Sequence, residues 1–217
     1  MAGSVLVGQA VVTKPGTAVD DAAAVRLKEA PHPYVSRGGL KLEGAMRQFA
    51  IDAAGCVCLD IGASNGGFTH YLLLNGAVRV YALDVDVRQL DWKVRNDPRV
   101  KPIELNARFL QPENVGESVD IVTIDASFIS LTMLLPQVPA VLNNGGFCVG
   151  LVKPQFEVGK GKVGKGGIVR DEGLQRDAVQ QVRKAAEGLP LACVGECESP
   201  ITGREGNREF FLCFKRT

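Results

Sequence analysis

The stretch CVCLDIGASNGGFTH, residues 56–70, decides the fold class of this 217-residue chain. Residues 56–61 form a short apolar run of the kind that becomes a buried strand, and Gly62, Gly66 and Gly67 follow it. Residues 68–74 then have helical spacing, which Asn75-Gly76 ends. A strand, a glycine-rich turn and a helix in this order are typical of an α/β unit that holds a ligand at the turn.

The same alternation continues on both sides of this stretch. The pattern predicts a helix over 38–50, strands over 78–83, 100–105, 119–124 and 147–152, helices over 131–142 and 173–188, and strands over 191–196 and 210–214. We therefore predict an α/β domain with a doubly wound, mostly parallel sheet of seven strands. The last two strands are joined by a loop without a helix, so at least one of them is expected to be antiparallel.

The first part of the chain has a different pattern. Residues 1–30 contain short β-type runs separated by Lys14-Pro15-Gly16, which predicts a pair of small strands. Pro31-His32-Pro33 then predicts a linker. We divide the chain into a small module (1–30), a linker (31–35) and the α/β domain (36–217).

Composition excludes several classes of protein. Lys+Arg total 25 and Asp+Glu 24, so the net charge of +1 argues against coating of nucleic acid by overall charge, although a local basic patch remains compatible with it. No apolar run reaches the roughly 18–20 residues of a membrane span, and we expect no signal peptide and no stable membrane association. The six cysteines are expected to be reduced, mostly buried side chains of a cytoplasmic protein, with no metal site.

The glycine turn and the neighbouring strand ends predict a cofactor site. The G-x-x-x-G-G spacing fits neither a dinucleotide fingerprint nor a P-loop, whereas it suits S-adenosylmethionine, which has no pyrophosphate. Asp84 is placed to bind ribose hydroxyls and Asn106 to contact the adenine edge. A plain tight turn and a solvated acid are the alternatives. The predicted cofactor residues are Asp60, Gly62, Ala63, Ser64, Gly66, Gly67, Phe68, Thr69, Asp84, Asn106 and Asp125.

Two more strand ends carry charged residues. Asp125 follows the strand at 119–124, and Lys153 follows the apolar strand at 147–152. A lysine at the end of a buried strand costs free energy unless it is paired, and Asp125 is its natural partner. The pair is either a structural ion pair or a lysine held by a carboxylate beside the cofactor.

Residues 153–170 predict a basic loop. Lys160, Lys162, Lys165 and Arg170 face only one acid, Glu157, and five glycines lie among them. Such a loop is able to grip phosphates, although a mobile solvated loop is the alternative. Arg37 and Arg47 are candidates for the same RNA-binding surface.

Several motifs resemble one known family. The stretches 34–42, 60–69, 96–100, 124–130, 151–158 and 206–211 resemble the TlyA-type proteins, which are labelled haemolysins and carry an FtsJ-like methyltransferase domain. The resemblance implies a Rossmann-like fold and methyl transfer from S-adenosylmethionine to a ribose 2′-hydroxyl of ribosomal RNA. The implied partners are ribosomal RNA or ribosomal subunits.

The resemblance also implies a catalytic set of Lys41, Asp125, Lys153 and Glu209. The ribose hydroxyl is a poor nucleophile, so the enzyme has to place its oxygen near the methyl carbon and remove its proton. Lys153 is the candidate base or hydroxyl-orienting group, and a base has to be neutral part of the time. Lys41 would neutralise an RNA phosphate or orient Glu209.

Family members begin with an S4-like RNA-binding module, and here only its strand half, residues 5–16, has a counterpart. Three other functions remain open at this point: a membrane-active haemolysin, a non-catalytic RNA-binding or ribosome-assembly factor, and a methyltransferase with a small-molecule substrate. The intact four-residue set speaks against the second, and the basic loop against the third. The sequence leaves the oligomeric state open.

Overall fold

The computed structural model describes residues 5–14, 16–27, 32–203 and 205–217, with only the backbone described at Lys160. The chain forms two compact units, Met1–Pro33 and Tyr34–Thr217. In the described residues, no helix combines the length and the apolar character that a membrane crossing requires.

The first unit contains a small antiparallel sheet. Its strands are β1 (Val5–Val7), β2 (Ala10–Val12) and β3 (Val25–Leu27), and β1 lies in the centre. The predicted pair of strands is therefore incomplete, because β3 also belongs to the sheet. The sequence signal for β3 is weak, since three residues with Arg26 in the middle show almost no apolar run. The S4-like assignment of residues 1–30 stays a prediction.

The second unit alternates strands and helices. Its strands are β4 (Val57–Ile61), β5 (Arg79–Asp84), β6 (Val100–Glu104), β7 (Val119–Ile124), β8 (Leu142–Val152), β9 (Leu191–Glu198) and β10 (Phe210–Arg216). Its helices are α1 (Gly38–Gln48), α2 (Gly67–Leu74), α3 (Trp92–Arg95), α4 (Pro112–Val115), α5 (Val138–Val141), α6 (Pro154–Glu157) and α7 (Glu172–Ala185).

The seven strands form one sheet in the order β6-β5-β4-β7-β8-β10-β9. All neighbours are parallel except β10, which is antiparallel to both β8 and β9. The predicted Rossmann-like sheet with an antiparallel strand is confirmed. The chain runs outward from β4 to β6 and then returns to the other side of β4, so the strand order reverses between β4 and β7. Ligands of open α/β sheets bind at the carboxyl ends of strands at such a reversal.

Two apolar layers cover the sheet. Leu42 and Met46 of α1 and Leu72 of α2 pack on one face, and Val138 of α5 and Val182 of α7 pack on the other. These side chains are at most 1 % exposed. Their burial fixes α1 and α2 against the central strands, and the residues of the site lie at the ends of these elements.

The segment 131–142 differs from its prediction. Instead of one helix, it forms two 3₁₀ turns, Leu131–Met133 and Leu135–Gln137, followed by the four residues of α5. Pro136 and Pro139 lack the backbone N–H that a continuous helix needs. Residues 143–146, which lie between the predicted helix and the predicted strand at 147–152, belong to β8. The short helices α3, α4 and α6 were not predicted.

Candidate active site

The loop between β4 and α2 depends on glycines at two positions. Gly62 and Gly66 adopt φ values of +83° and +88°, which L side chains rarely adopt. A Cβ on Gly62 would lie 2.7 Å from the carbonyl oxygen of Asp125, and one on Gly66 would lie 2.9 Å from Val94 Cγ1. The glycines therefore allow the loop to pass close to β7 and α3.

Asp60 supports this loop from behind. Its carboxylate is fully buried and accepts hydrogen bonds from Thr69 Oγ1 at 2.7 Å and Thr123 Oγ1 at 2.9 Å. Burial raises the pKa of Asp60 to about 6, against the two hydroxyl donors, which lower it. Asp60 thus ties β4 to α2 and β7. The structure places Asp60 and Thr69 in the interior, whereas most of the other predicted cofactor residues line a cavity.

The first cavity has a volume of about 540 Å³ and lies at the carboxyl ends of β4, β5 and β7. Ser64 N and Asp86 N each donate to one carboxylate oxygen of Asp84, at 2.9 and 3.1 Å. Each of these oxygens keeps a lone pair for a further donor. Asn106 also lines this cavity, and its side-chain oxygen accepts from Arg108 N at 3.1 Å.

Apolar residues complete the lining of the first cavity, and the prediction missed them. They lie one to five residues after the ends of β5, β6 and β7, so nearness to a strand end was the sequence signal that pointed to them. They are Val85, Leu105, Ala126, Phe128 and Ile129. An apolar wall with a few fixed polar groups is typical of a site for a small organic ligand.

A second cavity of about 210 Å³ adjoins the first. Ala63, Gly67 and Phe68 line it from the glycine loop, and Arg37 and Lys41 line it from the start of α1. Three residues line both cavities: Gly62, Ser64 and Asp125. Of the predicted cofactor residues, Asp60, Gly66 and Thr69 line neither.

The four residues of the predicted catalytic set form two ion pairs. Lys153 Nζ lies 2.7 Å from Asp125 Oδ1, and Lys41 Nζ lies 2.5 Å from Glu209 Oε2. Lys41, Lys153 and Glu209 are 9 %, 8 % and 3 % exposed, so these charges are largely withdrawn from solvent. Lys41 and Asp125 line the same 210 Å³ cavity, which joins the two pairs.

The Lys153–Asp125 contact has a further feature. Asp125 Oδ1 has no hydrogen-bond partner among the described residues, so the contact is an ion pair without hydrogen-bond geometry. Lys153 Nζ instead donates a hydrogen bond to Ser127 Oγ at 2.9 Å. The sequence interpretation did not single out Ser127, although it lies two residues after Asp125.

The predicted RNA-binding residues are spread over three places. Lys162, Lys165 and Arg170 are exposed in the loop after α6, which contains the 3₁₀ turns Lys160–Lys162 and Lys165–Gly167. The side chain of Lys160 lies outside the described residues. Arg37 is exposed and lines the second cavity, whereas Arg47 pairs with Glu43 at 3.1 Å and lines neither cavity.

The single acid of the predicted basic loop is turned inward. Glu157 is 7 % exposed and accepts hydrogen bonds from Leu131 N at 2.9 Å and from Ser130 Oγ. Burial raises the pKa of its carboxyl group. The other end of the loop is held by Asn207, whose amide donates to Gly167 O and accepts from Val169 N. The exposed cations of the loop are therefore not offset by Glu157.

An exposed aromatic side chain stands beside the site. Phe128 is 92 % exposed, has φ +65°, and its ring centre lies 5.2 Å from that of Phe156. A phenylalanine in a left-handed conformation and in solvent is unusual, since both cost free energy. An unpaired base could stack on such a ring.

The cysteines form no metal site in the described part of the chain. All six are free thiols. The described residues also contain no group of three or more His, Cys, Asp or Glu side chains that could hold a metal ion.

Comparisons with known proteins agree with this geometry. The model of the FtsJ-like methyltransferase family matches residues 34–216. The 16S/23S rRNA (cytidine-2′-O)-methyltransferase TlyA of Mycobacterium tuberculosis is 48 % identical over 213 residues, which cover 97 % of this chain and 80 % of that protein. Hemolysin A of Brachyspira hyodysenteriae is 41 % identical over 99 % of this chain and 90 % of its own length. A solved structure of a haemolysin-labelled protein from Streptococcus thermophilus has a TM-score of 0.85 at 41 % identity, covering 100 % of this chain and 80 % of that one.

Proposed function

The chain belongs to the TlyA-type group of FtsJ-like methyltransferases, and on that premise we propose that it methylates a ribose 2′-hydroxyl of ribosomal RNA. The observation that carries the proposal is the Lys153–Asp125 pair at the wall of a cavity of nucleoside size. A buried lysine paired at a strand end beside a ligand cavity is a candidate for proton handling.

S-adenosylmethionine is the methyl donor, and the residues of the two cavities fit it. The carboxylate of Asp84 suits ribose hydroxyls, the wall with Val85 and Leu105 suits a flat base, and the glycine loop leaves backbone open to an amino-acid group. When bound, the donor would supply an electrophilic methyl carbon on a sulfonium sulfur, with the thioether as the leaving group. The protein's part is to align the ribose 2′-oxygen and to take its proton.

The two ion pairs support the acceptor side of the reaction. A neutral Lys153 takes the proton of the hydroxyl as the new O–C bond forms, and Asp125 balances the resulting ammonium. Lys41 and Glu209 neutralise each other at the neighbouring cavity, and an incoming phosphate would compete with Glu209 for Lys41. Because the carboxylate of Glu209 is paired with Lys41, it repels an RNA phosphate at this cavity less than a free carboxylate would.

Exposed groups around the cavities suit an RNA partner. We assign phosphate contacts to Arg37, Lys162, Lys165 and Arg170, and base stacking to Phe128. Ribosomal RNA or a ribosomal subunit is the proposed partner, since the M. tuberculosis relative is named for 16S/23S rRNA. Residues 1–30 are proposed as the strand part of an S4-like module that adds to this binding.

One alternative function has a specific observation behind it. The haemolysin label occurs among the relatives, so purified, detergent-free protein would release haemoglobin from red cells if the label described the activity. A non-catalytic assembly factor would keep the fold but transfer no methyl group. The buried ion pairs beside the cavity favour catalysis over both.

The test is transfer of tritium from labelled S-adenosylmethionine to intact ribosomal subunits, free ribosomal RNA and protein-only controls. We expect label in RNA, at the 2′-oxygen of a ribose after nuclease digestion. Label in no RNA sample, or label on a base nitrogen or carbon, would contradict the proposal.

A further inference from the structure

We propose that Ser127 is a positioning residue that orients the amine of Lys153 toward the acceptor hydroxyl. The inference rests on the proposed function, because it assigns a role within that reaction. It adds a fifth residue to the set of Lys41, Asp125, Lys153 and Glu209, and it gives Ser127 a task that Asp125 does not perform.

The two partners of Lys153 act differently. Asp125 Oδ1 lies 2.7 Å from Nζ without hydrogen-bond geometry, so this carboxylate supplies charge but little direction. Ser127 Oγ accepts a hydrogen bond from Nζ at 2.9 Å, and hydrogen bonds weaken steeply when they bend. Ser127 therefore fixes where one N–H of the amine points.

The hydrogen bond to Ser127 also restricts where the remaining N–H group and the lone pair of the Lys153 amine point. A neutral amine still carries two N–H groups, so Ser127 keeps its hydrogen bond in the form of Lys153 that acts as a base. The ring centre of Phe156 lies 5.9 Å from Nζ, and a phenyl ring has no N–H or O–H group to donate to the lone pair. Ser127 and Asp125 both line the 540 Å³ cavity, so the amine is held at the wall of the space that the ligand occupies.

The position of Ser127 does not depend on Lys153 alone. The loop that carries it, residues 127–131, is joined to residues 153–157 at two further points. The rings of Phe128 and Phe156 are 5.2 Å apart, and Glu157 accepts hydrogen bonds from Leu131 N and Ser130 Oγ. The hydroxyl of Ser127 is thus placed before the substrate arrives, which is what an orienting group requires.

Ser127 is exposed to the cavity side, so removal of its hydroxyl leaves no buried group unpaired except the lysine. This makes Ser127→Ala a clean test. Ser127→Thr keeps the hydroxyl and serves as the rescue variant. Ser118→Ala is the matched control, because it removes an exposed serine hydroxyl that lines neither cavity.

The experiment measures steady-state methyl transfer to the RNA substrate that the wild-type protein labels, and binding of S-adenosylmethionine by calorimetry. For Ser127→Ala we expect kcat to fall about 10- to 100-fold, the scale of a misplaced catalytic group. KM for RNA and the Kd for S-adenosylmethionine should stay within about twofold, and Ser127→Thr should recover most of kcat.

Three results would overturn the inference: a kcat of Ser127→Ala within about twofold of wild type, an equal loss of kcat in Ser118→Ala, or a rise in KM alone. The second would show that the loss does not depend on the contact with Lys153, and the third would assign the effect to substrate binding. Absence of transfer by the wild-type protein would instead contradict the proposed function itself. The two failures are therefore distinguishable.

Discussion

The glycine loop with Asp84 and the pair of lysines with their carboxylates lie side by side, but they are built in opposite ways. The first is made mainly by backbone geometry: Gly62 and Gly66 have left-handed conformations, a buried Asp60 lies behind them, and the backbone N–H of Ser64 donates to Asp84. The second is made by side chains from positions 41, 125, 153 and 209, which only the fold brings together. We call the glycine loop with Asp84 the cofactor side and the two lysine–carboxylate pairs the acceptor side. The cofactor side therefore tolerates little change of backbone conformation, whereas the acceptor side depends on individual charged side chains.

The variant Gly62→Ala should impair cofactor binding and methyl transfer together. Its Cβ would lie 2.7 Å from the carbonyl oxygen of Asp125, at a φ of +83°. We expect binding of S-adenosylmethionine and methyl transfer to be lost by about 100-fold or more, together with about 1–3 kcal/mol of stability from backbone strain. Calorimetry, a transfer assay and urea unfolding measure the three effects.

Gly116→Ala is the control for this variant. Gly116 has the same φ of +83°, but nothing lies within 4 Å of its added Cβ. We expect a similar loss of stability with normal binding and transfer. Equal effects of the two variants on binding would contradict the close approach of the loop to β7.

On the acceptor side, removing charges from the basic loop should weaken RNA binding alone. In Lys162→Ala/Lys165→Ala we expect a higher Kd for the RNA substrate, a salt slope reduced by about 2, and an unchanged Kd for S-adenosylmethionine. The matched control is Lys101→Ala/Lys184→Ala, which removes two exposed charges that line neither cavity. If both double variants lose the same affinity, the loop has no special role.

The smallest effect is a pH dependence on the cofactor side. The pKa of Asp60 is raised from 3.8 to about 6, so the folded protein binds this proton more tightly than the unfolded chain does. The contribution of Asp60 to the free energy of unfolding is therefore full below pH 4 and is lost as the pH rises through about 6. Urea unfolding of wild type and Asp60→Asn at pH 4.5 and pH 7.5 measures it.

The expected result is that wild type gains stability relative to Asp60→Asn when the pH is lowered. A difference between the two proteins that does not change with pH would show that Asp60 has an ordinary pKa in the folded state. Asp60 supports the glycine loop through its hydrogen bonds with Thr69 and Thr123. This experiment therefore tests that support without changing Lys41 or Lys153.

The contrast between the two sides also explains what the sequence could predict. The strand at 119–124 and the turn at Gly62 follow from local apolar runs and glycine spacing, and the structure has them where they were expected. The pairing of Lys41 with Glu209 spans 168 positions, and only resemblance to a family pointed to it. Composition and periodicity carry no information on such a contact.

The features that the sequence analysis predicted wrongly or overlooked have local physical causes. Pro136 and Pro139 divide the segment predicted as a helix over 131–142, where apolar periodicity outweighed the missing N–H groups. Ser127 was overlooked because a lone serine near a strand end has no periodicity, and its hydrogen bond to Lys153 exists only after β7 and β8 pair. Strand β3 was missed because it is too short to alternate.

The most direct test of the central claim compares Lys153→Ala with Asp84→Ala in two assays, calorimetric binding of S-adenosylmethionine and tritium transfer to RNA at saturating donor. For Lys153→Ala the account predicts normal binding and a rate reduced by about 1,000-fold or more. For Asp84→Ala it predicts binding weakened by about tenfold, from lost hydrogen bonds, and a transfer rate close to wild type. Full transfer by Lys153→Ala would contradict the account.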